Sequence, residues 1–148
     1  MPLYLPDLAS QINIIQQGAH FFASVFSALA QDLTTQSTGW VTLTSSSIVT
    51  TGINAVLINC STSMTNSQSN QTIGLRLVIN NVPKTAAGTQ TVNKETPVGM
   101  SIMWKEPCTA GTQNVTLQWR VSAGTGQCRP VTQSDFESCL LLLEEVSA

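Results

Sequence analysis

Two stretches near the end of the chain alternate apolar and polar residues with a period of two. In one, Val115, Leu117, Trp119 and Val121 are separated by Thr116, Gln118 and Arg120. In the other, Val98, Met100, Ile102 and Trp104 are the apolar set. A β-strand turns successive side chains to opposite faces, so each run predicts a strand with one buried face. Further strands are expected at Trp40–Leu43, Ile53–Ser63, Ile73–Asn80, Thr89–Asn93 and Cys139–Val146. The Ser/Thr/Asn/Gln stretch Thr62–Thr72 reads as a loop between them. Gly88, Gly99 and Gly111 read as turn glycines. Six to eight half-buried strands without a βαβ pattern predict an antiparallel sandwich or barrel over residues 38–148.

Residues 1–36 have a different period. Leu8, Ile12, Ile15, Ala19, Phe22, Phe26, Leu29 and Leu33 follow one another at spacings of four and three. That is a heptad seam, and it predicts an amphipathic helix. Ile14, Phe21 and Val25 widen its apolar face, and Gln, Ser and Asn flank it in place of Glu/Lys pairs. Such a helix either lies on its own domain or, as its wide apolar face and uncharged flanks favour, is an anchoring arm that packs on copies of itself or on a larger partner. Leu8, Ile12, Ile15, Phe22, Phe26 and Leu29 are its candidate contact residues. Pro2 and Pro6 keep the first residues extended.

Composition narrows the function. Only 9% of the residues are charged, against about 25% in an ordinary globular protein. Thr, Ser, Gln and Asn supply 56 of the 148 residues, so hydroxyls and amides must solvate the surface. A net charge of −2 gives no driving force for nucleic-acid binding. No apolar run reaches the length of a membrane-spanning helix. No basic residue precedes the apolar stretch near the N-terminus, so no signal peptide is expected.

Catalytic chemistry has little material here. His20 is the only histidine, and its local sequence brings no carboxylate or cysteine beside it. Cys60, Cys108, Cys128 and Cys139 allow three pairings, show no CxxC spacing, and read as buried thiols. Cys60 and Cys139 are expected as neighbours in one sheet. Glu144 and Glu145 should point to opposite faces of a solvated strand end. The three N-x-S/T matches at Asn59, Asn70 and Asn114 are of the number expected by chance in so Asn-, Ser- and Thr-rich a chain. No enzyme, metal site or cofactor is expected.

The segment Thr109-Ala-Gly-Thr-Gln-Asn-Val-Thr-Leu-Gln-Trp-Arg-Val-Ser-Ala-Gly-Thr125, followed by Ser138-Cys-Leu-Leu-Leu-Leu-Glu-Glu-Val146, resembles a known pattern. It is similar to the last two strands of short trimeric jelly-roll heads of the tumour-necrosis-factor/C1q architecture, found in many structural proteins of tailed bacteriophages. The cysteines at 108, 128 and 139 depart from that pattern. The resemblance covers the C-terminal third; from Trp40 to Trp104 it rests on strand spacing. It implies a mainly β, antiparallel jelly-roll sandwich with an N-terminal helical or extended arm, assembled as a homotrimer. Trp40, Trp104, Leu117, Trp119 and Val121 are then the candidates for head core and trimer packing. The function implied is capsid decoration or cement: a virion protein on the capsid surface, assembled in the bacterial cytoplasm, with itself and the major capsid protein as partners. A receptor-binding tip or tail-fibre component that recognises a host glycan through Thr62–Thr72 is the alternative. A secreted cytokine-like ligand is a third class.

Overall fold

The computed structural model describes residues 23–129 and 139–148. They form ten strands: β1 (Ser24–Ala28), β2 (Leu33–Thr35), β3 (Val41–Thr50), β4 (Asn54–Asn66), β5 (Gln71–Ile79), β6 (Val82–Thr91), β7 (Val98–Cys108), β8 (Gly111–Val121), β9 (Gly126–Cys128) and β10 (Cys139–Val146). All pairings are antiparallel. One sheet runs β3-β8-β5-β6. The other is built round the long strand β4, which pairs with β10, β7 and β9, while β1 adds to β10 and β2 to β9. The two sheets stack face to face as a jelly-roll sandwich.

Period-two patterning places the core between the sheets. β8 contributes Val115, Leu117, Trp119 and Val121, all buried, and β5 contributes Ile73, Leu75, Leu77 and Ile79. Leu75 lies opposite Trp119 and Leu77 opposite Leu117, so the two inward rows pack side by side. From the facing sheet come Val56, Ile58, Cys60 and Met64 of β4 and Leu141 and Leu143 of β10. Trp104 is half-buried at the side where β6 and β7 meet. Its indole N–H donates to Glu106 Oε2 at 2.8 Å, and Lys84 of β6 pairs with Glu106 Oε1 at 2.7 Å. Burial alone would push the Glu106 carboxyl up; the Lys84 ammonium and the Trp104 N–H outweigh it and hold it below the ordinary carboxylate range.

The expected helix does not extend over residues 23–36. There the chain forms β1 and β2, with β1 registered on β10 from Ser24↔Glu144 to Ala28↔Leu140. Strand pairing satisfies every second backbone group across the sheet, and this outweighs a local period of three to four. Leu8, Ile12, Ile15, Ala19 and Phe22 of the seam lie outside the described residues. Three loop readings are also corrected. Residues 62–66 continue β4, with Met64, Thr65 and Asn66 buried. Gly88 sits inside β6 opposite Gly74, and Gly99 inside β7 opposite Ser63. The β5–β6 turn is instead Asn80-Asn81, both at positive φ (47° and 67°). Two left-handed residues make the tight hairpin whose twist matches its strands, and Asn tolerates that region best among non-glycine residues. Asn80 also pins the hairpin to β8, donating to Gln113 Oε1 at 2.8 Å and accepting from the Asn114 N–H at 2.9 Å.

Cys60, Cys108, Cys128 and Cys139 are buried. Cys60 pairs with Leu141 and Cys139 with Thr62, so the two cysteines are diagonal neighbours on one inward face. The Cys60 thiol beside it and burial both push the Cys139 thiol above its ordinary range. Both thiols are buried out of reach of iodoacetamide, so neither is alkylated in the native protein. Peptide mapping should find Cys60 and Cys139 modified only after denaturation; labelling of folded protein would contradict their burial.

Candidate functional site

Three features of the surface stand apart from its general Ser/Thr character. The first is the outward face of the β1-β10-β4-β7 sheet. Alternation turns Phe26 outward from β1, Leu140 and Leu142 from β10, Asn59 and Ser61 from β4, and Met103 from β7. Register lines up Phe26, Leu142, Asn59 and Met103 as one row across four strands. Phe26 is 64% exposed and Met103 71%. Phe26, Leu140 and Leu142 border a shallow depression with Asn59 and Ser61. A row of large apolar side chains on a sheet face is the signature of a contact surface. Lys105 and Glu144 are the charged groups that share this outward face.

The second feature is the corner where residue 23 reaches the sandwich. Glu145 is turned inward by β10 and is 1% exposed; it is not a solvated strand end. Its Oε1 accepts from the Asn54 amide at 2.7 Å, the Thr51 N–H at 2.8 Å and the Thr51 hydroxyl at 3.2 Å. Its Oε2 accepts from the Ala23 N–H at 3.4 Å, and its own N–H donates to the Ala23 carbonyl at 2.8 Å. Burial would raise its pKa, but these donors outweigh it and hold the carboxyl below its ordinary range. Glu145 therefore ties three segments together: the start of β1, the β3–β4 turn and the last strand. It fixes where residue 23 enters the sandwich.

The third feature lies on the outward face of the β3-β8-β5-β6 sheet. Trp40, a candidate for head core or trimer packing, is half-exposed there. The Arg76 and Arg120 guanidinium carbons stand 4.8 Å and 4.7 Å from its ring centroid. Gly74 leaves room for the ring, since a Cβ there would come within 3.1 Å of Trp40 Cη2.

The remaining predicted positions divide between these places. Leu117, Trp119 and Val121 are buried between the sheets and Trp104 flanks them. Leu29 packs partly on the core from beyond β1, whereas Phe26 faces outward. Sequence reasoning missed Met103, Leu140 and Leu142 as a surface row, although the alternation that turns Ile102, Leu141 and Leu143 inward already turns them outward. It also missed the Arg76–Trp40–Arg120 cluster, which requires knowing that β8 lies between β3 and β5. Among the described residues, no three metal-ligating side chains come together. No helix among them is long and apolar enough to cross a membrane.

The sequence matches no known family profile and no curated protein. Its fold, however, recurs in solved structures. It is similar to a chain in the structure of the infectious bursal disease virus Gt strain, with a TM-score of 0.57 and 12% identity over 87% of this chain and 38% of that one. It is also similar to a mutant VP2 protein of infectious bursal disease virus in derived T=1 particles, with a TM-score of 0.51 and 13% identity over 87% of this chain and 37% of that one. The chain thus spans under two-fifths of the length of these viral proteins. What it shares with them is the β-sandwich fold.

Proposed function

We propose that this chain is a structural protein of a virus particle: a homotrimeric jelly-roll head that decorates and cements a phage capsid. The observation that carries the reading is the set of outward apolar side chains Phe26, Leu140, Leu142 and Met103 on the β1-β10-β4-β7 sheet, with Asn59 between Leu142 and Met103. A free sheet face of this kind needs a cover, and the same face of a neighbouring copy's head offers apolar area of the same kind. Fold likeness to proteins of virus particles supports the viral setting, as does the resemblance of Thr109–Val146 to phage jelly-roll heads. The mechanism is mechanical. The heads trimerise through this sheet, and the segment before β1, held at its root by Glu145, reaches from each head to the major capsid protein. Three weak contacts made together gain avidity without any one being strong.

Light scattering after gel filtration tests the first step. The full chain should have three times the 15.8 kDa chain mass. The double variant Phe26→Asp, Leu142→Asp should be a folded monomer, because a carboxylate cannot be buried in an apolar interface without a partner. A monomeric wild-type chain would overturn the trimer. Saturable binding of the trimer to undecorated phage heads, lost on deletion of residues 1–22, is the expected result for the second step; binding that survives the deletion would overturn the anchoring role of that segment.

A further inference from the structure

On the outward face of the β3-β8-β5-β6 sheet, Gly74 of β5 lies opposite Arg120 of β8, and Arg76 lies opposite Gln118. Trp40 comes in from the residue before β3 and settles over Gly74. Both guanidiniums stand within 5 Å of its ring centroid, a distance at which the ring quadrupole attracts a cation. Gln118 Oε1 accepts from Arg76 Nε at 3.0 Å and Nη2 at 2.5 Å. Arg76 is thereby oriented, and among the described residues its Nη1 hydrogens are unspent and no acceptor takes a hydrogen from Arg120. Among the same residues neither arginine has a carboxylate partner, the ion pair there being Lys84–Glu106. One indole thus holds two like charges together with no counter-charge from the described residues. Beside them opens a cleft of about 380 Å³ bounded by Thr38, Thr72, Gly74, Arg120, Val121 and Ser122, within the size range of small-ligand sites. Ser122 Oγ is already fixed, accepting from the Thr72 N–H and donating to Gln71 Oε1, each at 2.8 Å.

We propose that this cleft binds a saccharide bearing a carboxylate, such as a uronic or sialic acid at the end of a glycan. Arg120, which lines the cleft, supplies paired N–H donors that match a planar carboxylate, and Arg76 adds a second positive charge on the far side of the shared Trp40 contact. Stacking on Trp40 and the bond to Gln118 orient them before the ligand arrives, which lowers the ordering cost of binding. The rest of the lining is Gly74, Val121 and the hydroxyl residues Thr38, Thr72 and Ser122, which suits a sugar ring with its hydroxyls and its apolar C–H face. With two basic residues and no basic track leading away from them, the cluster is matched to one carboxylate rather than to a polyphosphate backbone. The site lies on the opposite sheet from the proposed trimer face, so three copies would present three clefts outward.

The test titrates the full chain with a sialic-acid-terminated and a glucuronic-acid-terminated oligosaccharide, following tryptophan fluorescence and calorimetry. Each is compared with its methyl ester. Saturable binding of at least one acid, with loss of about tenfold or more in affinity for its ester and in Arg120→Gln, is the expected result, since each change removes a charge-assisted hydrogen bond. Arg120 is an exposed side chain, so this variant keeps its fold; far-ultraviolet circular dichroism verifies that. Arg76→Gln should weaken binding as well, while Lys105→Gln on the other sheet should not. Equal binding of acid and ester, unchanged affinity in Arg120→Gln, equal competition by acetate alone, or no binding of either acid would overturn the proposal. The monomeric Phe26→Asp, Leu142→Asp variant should bind with unchanged affinity per chain, which separates failure of the cleft from failure of the trimer.

Discussion

Trp119→Ala lowers the unfolding free energy by about 4 kcal/mol, the range for deleting a large buried aromatic. It is the largest fully buried side chain and is 1% exposed. Its neighbours explain why the site cannot close around a methyl group. Val41 lies opposite it on β3 and Leu75 opposite it on β5, so it sits at the centre of three paired strands. Above it, Gly126 of β9 approaches so closely that a Cβ there would fall 2.8 Å from Val121 Cγ1 and 3.4 Å from Trp119 Cζ3. The backbone of β9 is thus packed on the indole, and β9 is held in turn by β2 and by Thr65 and Asn66 of β4. Removing the ring leaves a cavity under a backbone that its own pairing holds in place. Urea denaturation should show a lower midpoint with an unchanged slope. Trp119→Phe should lose less, because most of the ring volume remains. A loss under 1 kcal/mol for Trp119→Ala would mean that β9 collapses onto the core, which the Gly126 contacts argue against.

Glu145→Ala is expected to cost about 3 kcal/mol, the order found when one partner of a buried charged network is removed. The substitution strands the Thr51 N–H and the Asn54 amide at a buried corner and loosens the Ala23 tie. Its signature is a pH dependence. Above the ordinary carboxylate value of 4.5, folded and unfolded chains both carry Glu145 ionised, and the hydrogen bonds to it contribute in full. As the pH falls below that value the unfolded chain takes up the proton first, and the contribution drains away until the lower folded-state value is passed. Stability of the wild type should therefore fall from about pH 5 downward. Glu145→Gln should flatten that fall, leaving the share that belongs to the Lys84-paired Glu106. Equal acid limbs for wild type and Glu145→Gln would show that Glu145 does not carry it. Limited proteolysis should cut Glu145→Ala near residue 23 faster than the wild type, since that residue loses one of its two ties to β10.

The strands were legible wherever a single burial face dictated them. β7 and β8 alternate because each has the core on one side and solvent on the other, and that constraint is written directly into the side chains; in β10 four consecutive leucines mask it. The low charge and the wealth of hydroxyls and amides were equally plain, and with them the poverty of catalytic groups. What the linear pattern could not hold was pairing. Phe26, Leu29 and Leu33 keep a helical period, yet β10 and β9 lie about a hundred residues further along and present open edges to that segment; a hydrogen-bonded edge decides the backbone there. Gly88 looks like a turn until Gly74 is seen opposite it. Trp40 looks like core until β5 and β8 bring Arg76 and Arg120 to its ring and Gly74 clears the space beneath. Glu145 looks solvated until Ala23, Thr51 and Asn54 converge on it. Alternation along a strand is a local property, so the sequence by itself determined the inward rows of β7 and β8. Which strands became neighbours depends on contacts between distant residues, so the tertiary structure alone decided the apolar row, the Trp40 cluster and the Glu145 corner.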